Sequence, residues 1–481
     1  MELKDFKDKK ITVMGIGLHG GGVGVIKFLA EQGAKILATD LRKKEDLTGS
    51  LEALSGINNI EYVLGEHRLE DFTNTDLVIK NPGVPDDSKY LAAAREKEIP
   101  IESDIGIFLE LCPAPIIAVT GTKGKSTTAA LLAHILEQHY PQVILAGNIR
   151  RSVLEKLPEI TKDTIVVLEL SSWQLADAKN HKKSPYVAVV TNLMQDHLNR
   201  YASFQDYIED KKLIFKFQKE KDYLFLNYGD EISRELSKQA TSRIYFYSTD
   251  GDKLLHAELP FLNQKARTGA YIKKKTIYYG AAQELIAPAK DVKIIGKHNL
   301  ANALAAVSVA DLYNVPREKT KEALRTFRGL EGRLQFIDKI ADVKYINDTT
   351  ATAPDAAIAA LETIAKEYPR KDKQKHIVLI AGGADKNLDF TKFGQEISNH
   401  AKAVILLEGT ATQKLAKEIG PDIKINGVNS MAEAVTLASQ LAQPQDVVLL
   451  APGCASFGLF QHEFDRGKQF DEAVKKLAEH E

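Results

Sequence analysis

The segment APIIAVTGTKGKSTTAALLAHILEQ constrains this chain most. An apolar run feeds a glycine turn, and the stretch after it puts Leu131, Leu132, Ile135 and Leu136 on one helical face. The turn reads Thr120, Gly121, Thr122, Lys123, Gly124, and Lys125, Ser126 and Thr127 open the helix. Glycines let backbone amides curl around phosphate oxygens, and the helix terminus adds positive potential. Lys125 neutralises charge, and Ser126 can reach a magnesium ion. The loop is not a strict GxxxxGK pattern, whose first glycine would fall on Val119.

The same strand, turn and helix order recurs on both sides. ITVMGIG, GLHGGGVG and VIKFLAEQG lead into a second strand, KILATD, and α/β alternation continues to about Pro113. After the phosphate-type loop come IVVLEL and YVAVVTNL. From about 221 to 290, short β-like pieces with charged turns suggest an antiparallel insertion, and HNLANALAAVSVADLY returns as a helix. RGLEGR reads as a linker. Beyond it VKYIND, HIVLIAGG, AVILLEG and DVVLLAPG are each followed by a helical stretch, as in a parallel sheet. With 481 residues and roughly 150 per domain, about three domains are expected. Their bounds are 1–112, 113–328 and 329–481.

Lys+Arg is 64 and Asp+Glu 65, a net charge of −1 that argues against a general nucleic-acid binder. No window approaches the ~18 apolar residues of a membrane span. The charged start, MELKDFKDKK, does not read as a signal peptide. Cys112 and Cys454 are too few for a disulfide framework or a cysteine-bound zinc. A soluble cytoplasmic protein is expected.

Several further positions carry chemistry. Gly15, Gly17 and Gly20 follow a strand and open a helix, and Asp40 ends the next strand. Such glycines let the backbone approach a diphosphate while the carboxylate takes ribose hydroxyls; a tight packing turn is the competing reading. Glu169 and His197 follow strand ends and could hold a hard cation, or be a helix-start carboxylate and a surface histidine. Lys211 and Lys212, in DYIEDKKLIFKF, look by composition like a solvated helix face. Asn299 and Asn302 share one helical face, suited to a common contact or to capping. Arg333, Asp348, Asp385, Lys386 and Ser456 lie near strand ends or in the linker, where lone charges often form rim salt bridges.

Together these residues resemble the Mur ligases, and within them the branch that adds glutamate to UDP-N-acetylmuramoyl-L-alanine. GTKGKST, LELSSWQL, TNLMQDH followed by Arg200 and Tyr201, GKHNLANALAA, NDTTAT, GGADK and CAS followed by Arg466 and Gly467 occur in the family's order. The resemblance implies a Rossmann-like UDP-binding domain, a central P-loop ATPase-like α/β domain and a C-terminal Rossmann-like α/β domain that brings glutamate. It implies small-molecule substrates, ATP as cofactor with two magnesium ions, and a monomer. Gly17, Leu18, His19, Asp40, Arg42 and Gly83 would then hold the UDP part, with Asn148, Ser171 and Gln174 near the muramoyl-alanine end. Residues Gly121 to Thr127, Asn299, Asn302, Arg333 and Asp348 match ATP contacts. Ser126, Glu169, His197 and Lys211 match metal positions, with Lys211 carbamylated. Lys125, His197 and Lys211 would be catalytic, and Thr352, Lys386 and Ser456 match the glutamate site.

The chain departs from the family at Thr350, where a lysine is usual, and at Lys123, where asparagine is common. It also departs at Arg151, in place of a glycine, and at Glu463, in place of a phenylalanine. Thr350 keeps an L-glutamate-adding relative open as an alternative. A nucleotide-binding scaffold without catalysis is the alternative of another class.

Overall fold

The computed structural model describes residues 1–18, 20–148, 152–195, 201, 203–257, 266–370, 372, 374–385 and 388–479, with the backbone alone at 297. They form two compact units, Met1–Asp291 with Leu300–Arg325, and Val292–Asn299 with Thr326–Glu481. Among the described residues there are three sheets, of five, nine and six strands, each covered by helices.

In the first unit, the five-stranded sheet runs Ile60–Leu64, Lys35–Asp40, Lys10–Met14, Leu77–Lys80, Ile101–Glu102, all parallel. The strand order reverses between Lys10–Met14 and Leu77–Lys80, where open α/β sheets form a ligand crevice. Helix Gly21–Glu31 follows the glycine turn directly. A Cβ on Gly22 would overlap the carbonyls of Gly15 and Ile16, so only glycine lets the helix start lie against the turn.

The nine-stranded sheet begins Val143–Gly147, Ile165–Glu169, Ile116–Thr120, Val187–Val190, Tyr223–Asn227, Arg243–Ser248, Ala266–Lys273. These strands are parallel, which corrects the antiparallel insertion expected from about 221. Helices Glu231–Ser237 and Gly251–Leu255 supply the crossovers, although their short charged sequences suggested turns. Only Thr276–Tyr279 and Glu284–Pro288 are antiparallel additions. Lys274 and Lys275, with φ of 48° and 62°, make the tight turn that reverses the chain between Ala266–Lys273 and Thr276–Tyr279.

Each sheet is its own layer, yet one apolar core joins the first two. It passes from Phe6 and Ile11 through Ile105 and Phe108 to Ala118, Val166 and Leu226. Helix Asp104–Leu111 lies in this joint and is capped by Ser103, whose Oγ accepts from Gly106 N at 3.0 Å.

The second unit holds the six-stranded sheet, in the order Gln335–Ile340, Val343–Asn347, Val447–Leu450, Ile377–Gly382, Ala401–Leu407, Lys424–Val428. The first pair is antiparallel and the rest parallel. The four expected strands are present, and the two edge strands are additional. Their charged residues and incomplete burial hide them from an apolar-run reading. No helix of the described residues is long and apolar enough to cross a membrane.

Gly22→Ala should lower the unfolding free energy by ~1–3 kcal/mol, the usual cost of overpacking. Gly21→Ala, whose Cβ would meet nothing within 4 Å, should be near neutral. Urea midpoints of the two variants check the contrast.

Candidate active site

A cavity of about 1000 Å³ opens in the first unit. The first sheet contributes Gly17, Leu18, Asp40, Arg42 and Gly83 to its wall, and the second contributes Asn148, Ser171 and Gln174. Every described residue expected at the UDP-sugar site thus faces one space; His19 lies outside the described residues. Asp40 shapes the turn: its Oδ2 accepts from Gly17 N and its Oδ1 from Arg42 N, both at 3.0 Å. Ser171 and Gln174 form a reciprocal cap on helix Ser172–Asp177, with Ser171 N donating to Gln174 Oε1 at 3.0 Å.

The wall also includes groups that the sequence reading missed. The His67 ring lies edge-on to Tyr90, 5.1 Å between centroids, and its Nδ1 is 2.7 Å from Thr39 Oγ1. Burial pushes its pKa below the usual histidine value, against the pull of Asp40 and Asp71. Lys80 ends its strand fully inside, 2.6 Å from Asp86 Oδ1 and 2.7 Å from Asp177 Oδ1. Burial raises the Asp104 carboxyl to about 6, with Asp177 adding to the rise and the Ile105 amide opposing it. A lone charge ending an apolar strand was the only available signal for Lys80.

The phosphate-type loop closes the next strand of the same unit. Helix Lys125–Glu137 starts at Gly124, whose φ is 84°. The buried Asn302 amide occupies the space that any side chain at 124 would need. Lys125 Nζ donates to the carbonyls of Gly121 and Thr122, both at 3.0 Å, so the ammonium curls over its own loop. Lys123 is exposed, and its backbone is held by Asn192, which accepts from Lys123 N at 3.0 Å and donates to Lys123 O at 2.9 Å. Ser126 and Thr127 are half-buried at the helix start.

Glu169 is the last residue of strand Ile165–Glu169 and is buried, so it is not the helix-start carboxylate considered above. Its Oε1 accepts from Asn148 Nδ2 at 3.1 Å, while its buried Oε2 has no hydrogen-bond partner among the described residues. A buried carboxylate oxygen without a donor fits a hard cation, and a serine hydroxyl such as that of Ser126 is also a ligand type such a cation accepts. His197 lies outside the described residues.

Lys211 corrects the solvated-face reading. It is buried on helix Phe204–Lys216, with Nζ 4.8 Å from the Tyr207 ring centre and donating to Thr120 Oγ1 at 3.4 Å. Lys212, one position round the helix, pairs with Glu209 at 2.8 Å. A helix turns ~100° per residue, so the two adjacent lysines point in different directions.

The second unit carries the remaining candidates at its strand ends. Asn299 donates to Ile295 O at 2.6 Å, within this unit. Asp348 is buried and accepts from Leu334 N at 3.0 Å, and Arg333 is exposed. Burial raises Asp348 to about 7, against the Leu334 amide and the Arg333 charge. It forms no rim salt bridge among the described residues, whereas Asp385 does, with Lys414. Thr352 and Ser456 stand on adjoining segments, joined where Gly453 N donates to Ala351 O at 2.8 Å. Lys386 lies outside the described residues. Thr350 is turned inward, its Oγ1 donating to Gly332 O at 2.9 Å.

Three family models match the chain. They are a Mur ligase MurD-like N-terminal domain over residues 9–103, a Mur ligase middle domain over 119–310, and a Mur ligase glutamate ligase domain over 332–454. A UDP-N-acetylmuramoylalanine--D-glutamate ligase of Roseiflexus sp. (strain RS-1) is 41% identical, covering 98% of this chain and 99% of its own length. The chain belongs to the Mur ligase family. A second relative of that name, from Borreliella burgdorferi (strain ZS7), is 35% identical over 99% of this Mur ligase and 100% of its own length.

Among solved structures, UDP-N-acetylmuramate-alanine ligase MurC from Thermotoga maritima has a TM-score of 0.58 and 20% identity, covering 98% of this chain and 100% of its own. MurF ligase from Thermotoga maritima in complex with ADP has a TM-score of 0.52 and 16% identity, covering 99% and 97%. At these identities the likeness concerns the fold.

The raised Asp348 pKa makes a stability prediction for this Mur ligase. The folded state holds the proton more tightly than the unfolded chain, so stability falls as pH rises from about 4 to about 7. Asp348→Asn should gain melting temperature over the parent across that window and hold a constant advantage above it. Thermal melts of both proteins without nucleotide, from pH 4 to 8.5, check this.

Proposed function

We propose that this Mur ligase joins D-glutamate to UDP-N-acetylmuramoyl-L-alanine with ATP, in cytoplasmic peptidoglycan precursor synthesis, as a monomer acting on small molecules. The observation that carries the reading is the Asn148–Glu169 hydrogen bond. Asn148 lines the cavity, and Glu169 pairs in register with Val119, on the strand that feeds the phosphate loop. A carboxylate at the end of a bound UDP-sugar would therefore meet the terminal phosphate of ATP. The full-length relatives named for D-glutamate favour that isomer. The inward-turned Thr350 side chain is consistent with the loss of the usual lysine there.

In this reading the substrate carboxylate attacks the γ-phosphorus in line, ADP leaves, and an acyl phosphate remains. The glutamate amine attacks its carbonyl, and the tetrahedral intermediate expels phosphate to leave the amide. Both steps bring anions together. Lys125 leaves its loop carbonyls for the phosphates, and the Gly121 to Thr127 amides orient them. Gly17, Leu18, Asp40, Arg42 and Gly83 hold the UDP part, and Asn148, Ser171 and Gln174 orient the reacting end. Asn299, Asn302, Arg333 and Asp348 contact ATP, and Thr352, Lys386 and Ser456 take glutamate. Ser126, Glu169, His197 and a carbamate on Lys211 would hold two magnesium ions, which supply positive charge against anion repulsion. Carbamylation consumes the neutral amine, and burial penalises the charged one.

ADP release should require ATP, the UDP-sugar and D-glutamate together, with L-glutamate inactive; release equal with L-glutamate would reverse the stereochemical assignment. Lys125→Ala should lower kcat by ~10²–10³-fold, the scale for one transition-state contact, and Lys123→Asn by less than ~3-fold. Lys211→Ala should be nearly inactive and partly rescued by small carboxylates, while Lys212→Ala keeps most activity. Intact-mass measurement should find an added carboxyl group at Lys211, and full activity of Lys211→Ala would remove that assignment.

A further inference from the structure

Arg466 lies in the first turn of helix Glu463–Glu479 and is the largest fully buried side chain among the described residues. Its guanidinium spans two segments. Nε donates to Thr349 Oγ1 at 3.1 Å, Nη2 to Thr349 O at 2.9 Å, and Nη1 to Cys454 O at 3.3 Å. Thr349 Oγ1 donates onward to Glu463 O at 2.6 Å, tying the turn to the helix start. One planar fork thus holds the turn after strand Val343–Asn347 against the loop after strand Val447–Leu450. Those segments carry Thr352 and Ser456.

Every acceptor of this guanidinium is a neutral oxygen. Among the described residues no carboxylate lies within ion-pair distance of it. On the segments it touches, Asp348 accepts from Leu334 N, and on its own helix Asp471 accepts from Asn347 Nδ2 at 2.8 Å. Burial lowers its pKa to about 10, so it stays charged at neutral pH, with Glu463 attracting it from beyond pairing range. A buried cation without a counter-ion is costly. Carbonyl dipoles offset part of the cost and leave a positive potential over the strand-end loops.

We infer that Arg466 is a positioning residue of the amino-acid site. It fixes the Thr352 turn against the Ser456 loop, and its unmatched charge selects an incoming amino acid whose side chain is anionic. This rests on the ligase reading above and adds to it a determinant of side-chain charge that lies behind the site, not in contact with substrate. A structural role alone would lower stability and leave the preference between charged and neutral amino acids unchanged. A role in selection separates the two.

The test uses the full chain, with D-glutamate and its neutral isostere D-glutamine as alternative acceptors. Wild-type ADP release with ATP, UDP-sugar and D-glutamate comes first; its absence would sink the ligase reading independently of Arg466. Arg466→Met should raise KM for D-glutamate about tenfold or more and cut the D-glutamate over D-glutamine ratio of kcat/KM about tenfold, the scale of one screened charge. KM for ATP and UDP-sugar should stay within about twofold. Arg466→Lys keeps the charge but loses the fork, so KM for D-glutamate should rise while the ratio stays near wild type. Should the Met variant not fold, Arg466→Gln, neutral but still a donor, takes its place with the same expected loss of the ratio. An unchanged KM in Arg466→Lys, or a ratio that collapses there, overturns the inference. So does a folded Arg466→Met with the wild-type ratio.

Discussion

Parallel strands need crossover helices, so among the described residues the central strands of each sheet are buried and their ends are where charged groups can meet a ligand. The candidate site residues follow that constraint closely. Asp40, Lys80, Thr120, Gly147 and Glu169 are each the last residue of a strand. Asp348 follows directly after Val343–Asn347. At a strand end the backbone runs out of ladder partners, and the next helix offers its first amides. A carboxylate or ammonium placed there can be buried for precision without losing access to a substrate.

Burial is what turns these positions into chemistry. Glu169 keeps one oxygen bonded and one without a donor, an arrangement that costs stability unless a cation completes it. Lys211 is inside the fold, its ammonium over the Tyr207 ring and donating to Thr120 Oγ1. Asp348 and Asp104 hold protons well above the usual carboxylate range because burial penalises their charged forms. Arg466 has carbonyls and a hydroxyl where an exposed arginine would have an acid. Each is locally unfavourable and is held in place by the packing around it.

Much of this was legible in the sequence where local patterns decide structure. Glycine spacing after an apolar run predicts a strand and a helix start, because both signals lie within a few residues. The phosphate-type loop and the four apolar strands of the second unit follow from that. The edge strands Gln335–Ile340 and Lys424–Val428 were not legible, since an edge strand tolerates charge along its length. The parallel pairing of Tyr223–Asn227 with its neighbours was not legible either, because strand direction depends on the path of the connection.

The sequence by itself determined the family, the α/β class and the residues able to handle phosphate, since these rest on residue type and short spacing. Tertiary structure alone decided which of two adjacent lysines is buried, since helix phase relative to a core is set by what packs on it. Tertiary structure also brought Gly17 and Gln174, far apart in the chain, to one cavity, because a single core joins the first two sheets. Arg466 shows the same division. As a residue it is only a charge beside a glycine, and its lack of a counter-ion exists only once Thr349 and Cys454 have folded around it, because a buried charge is defined by its neighbours.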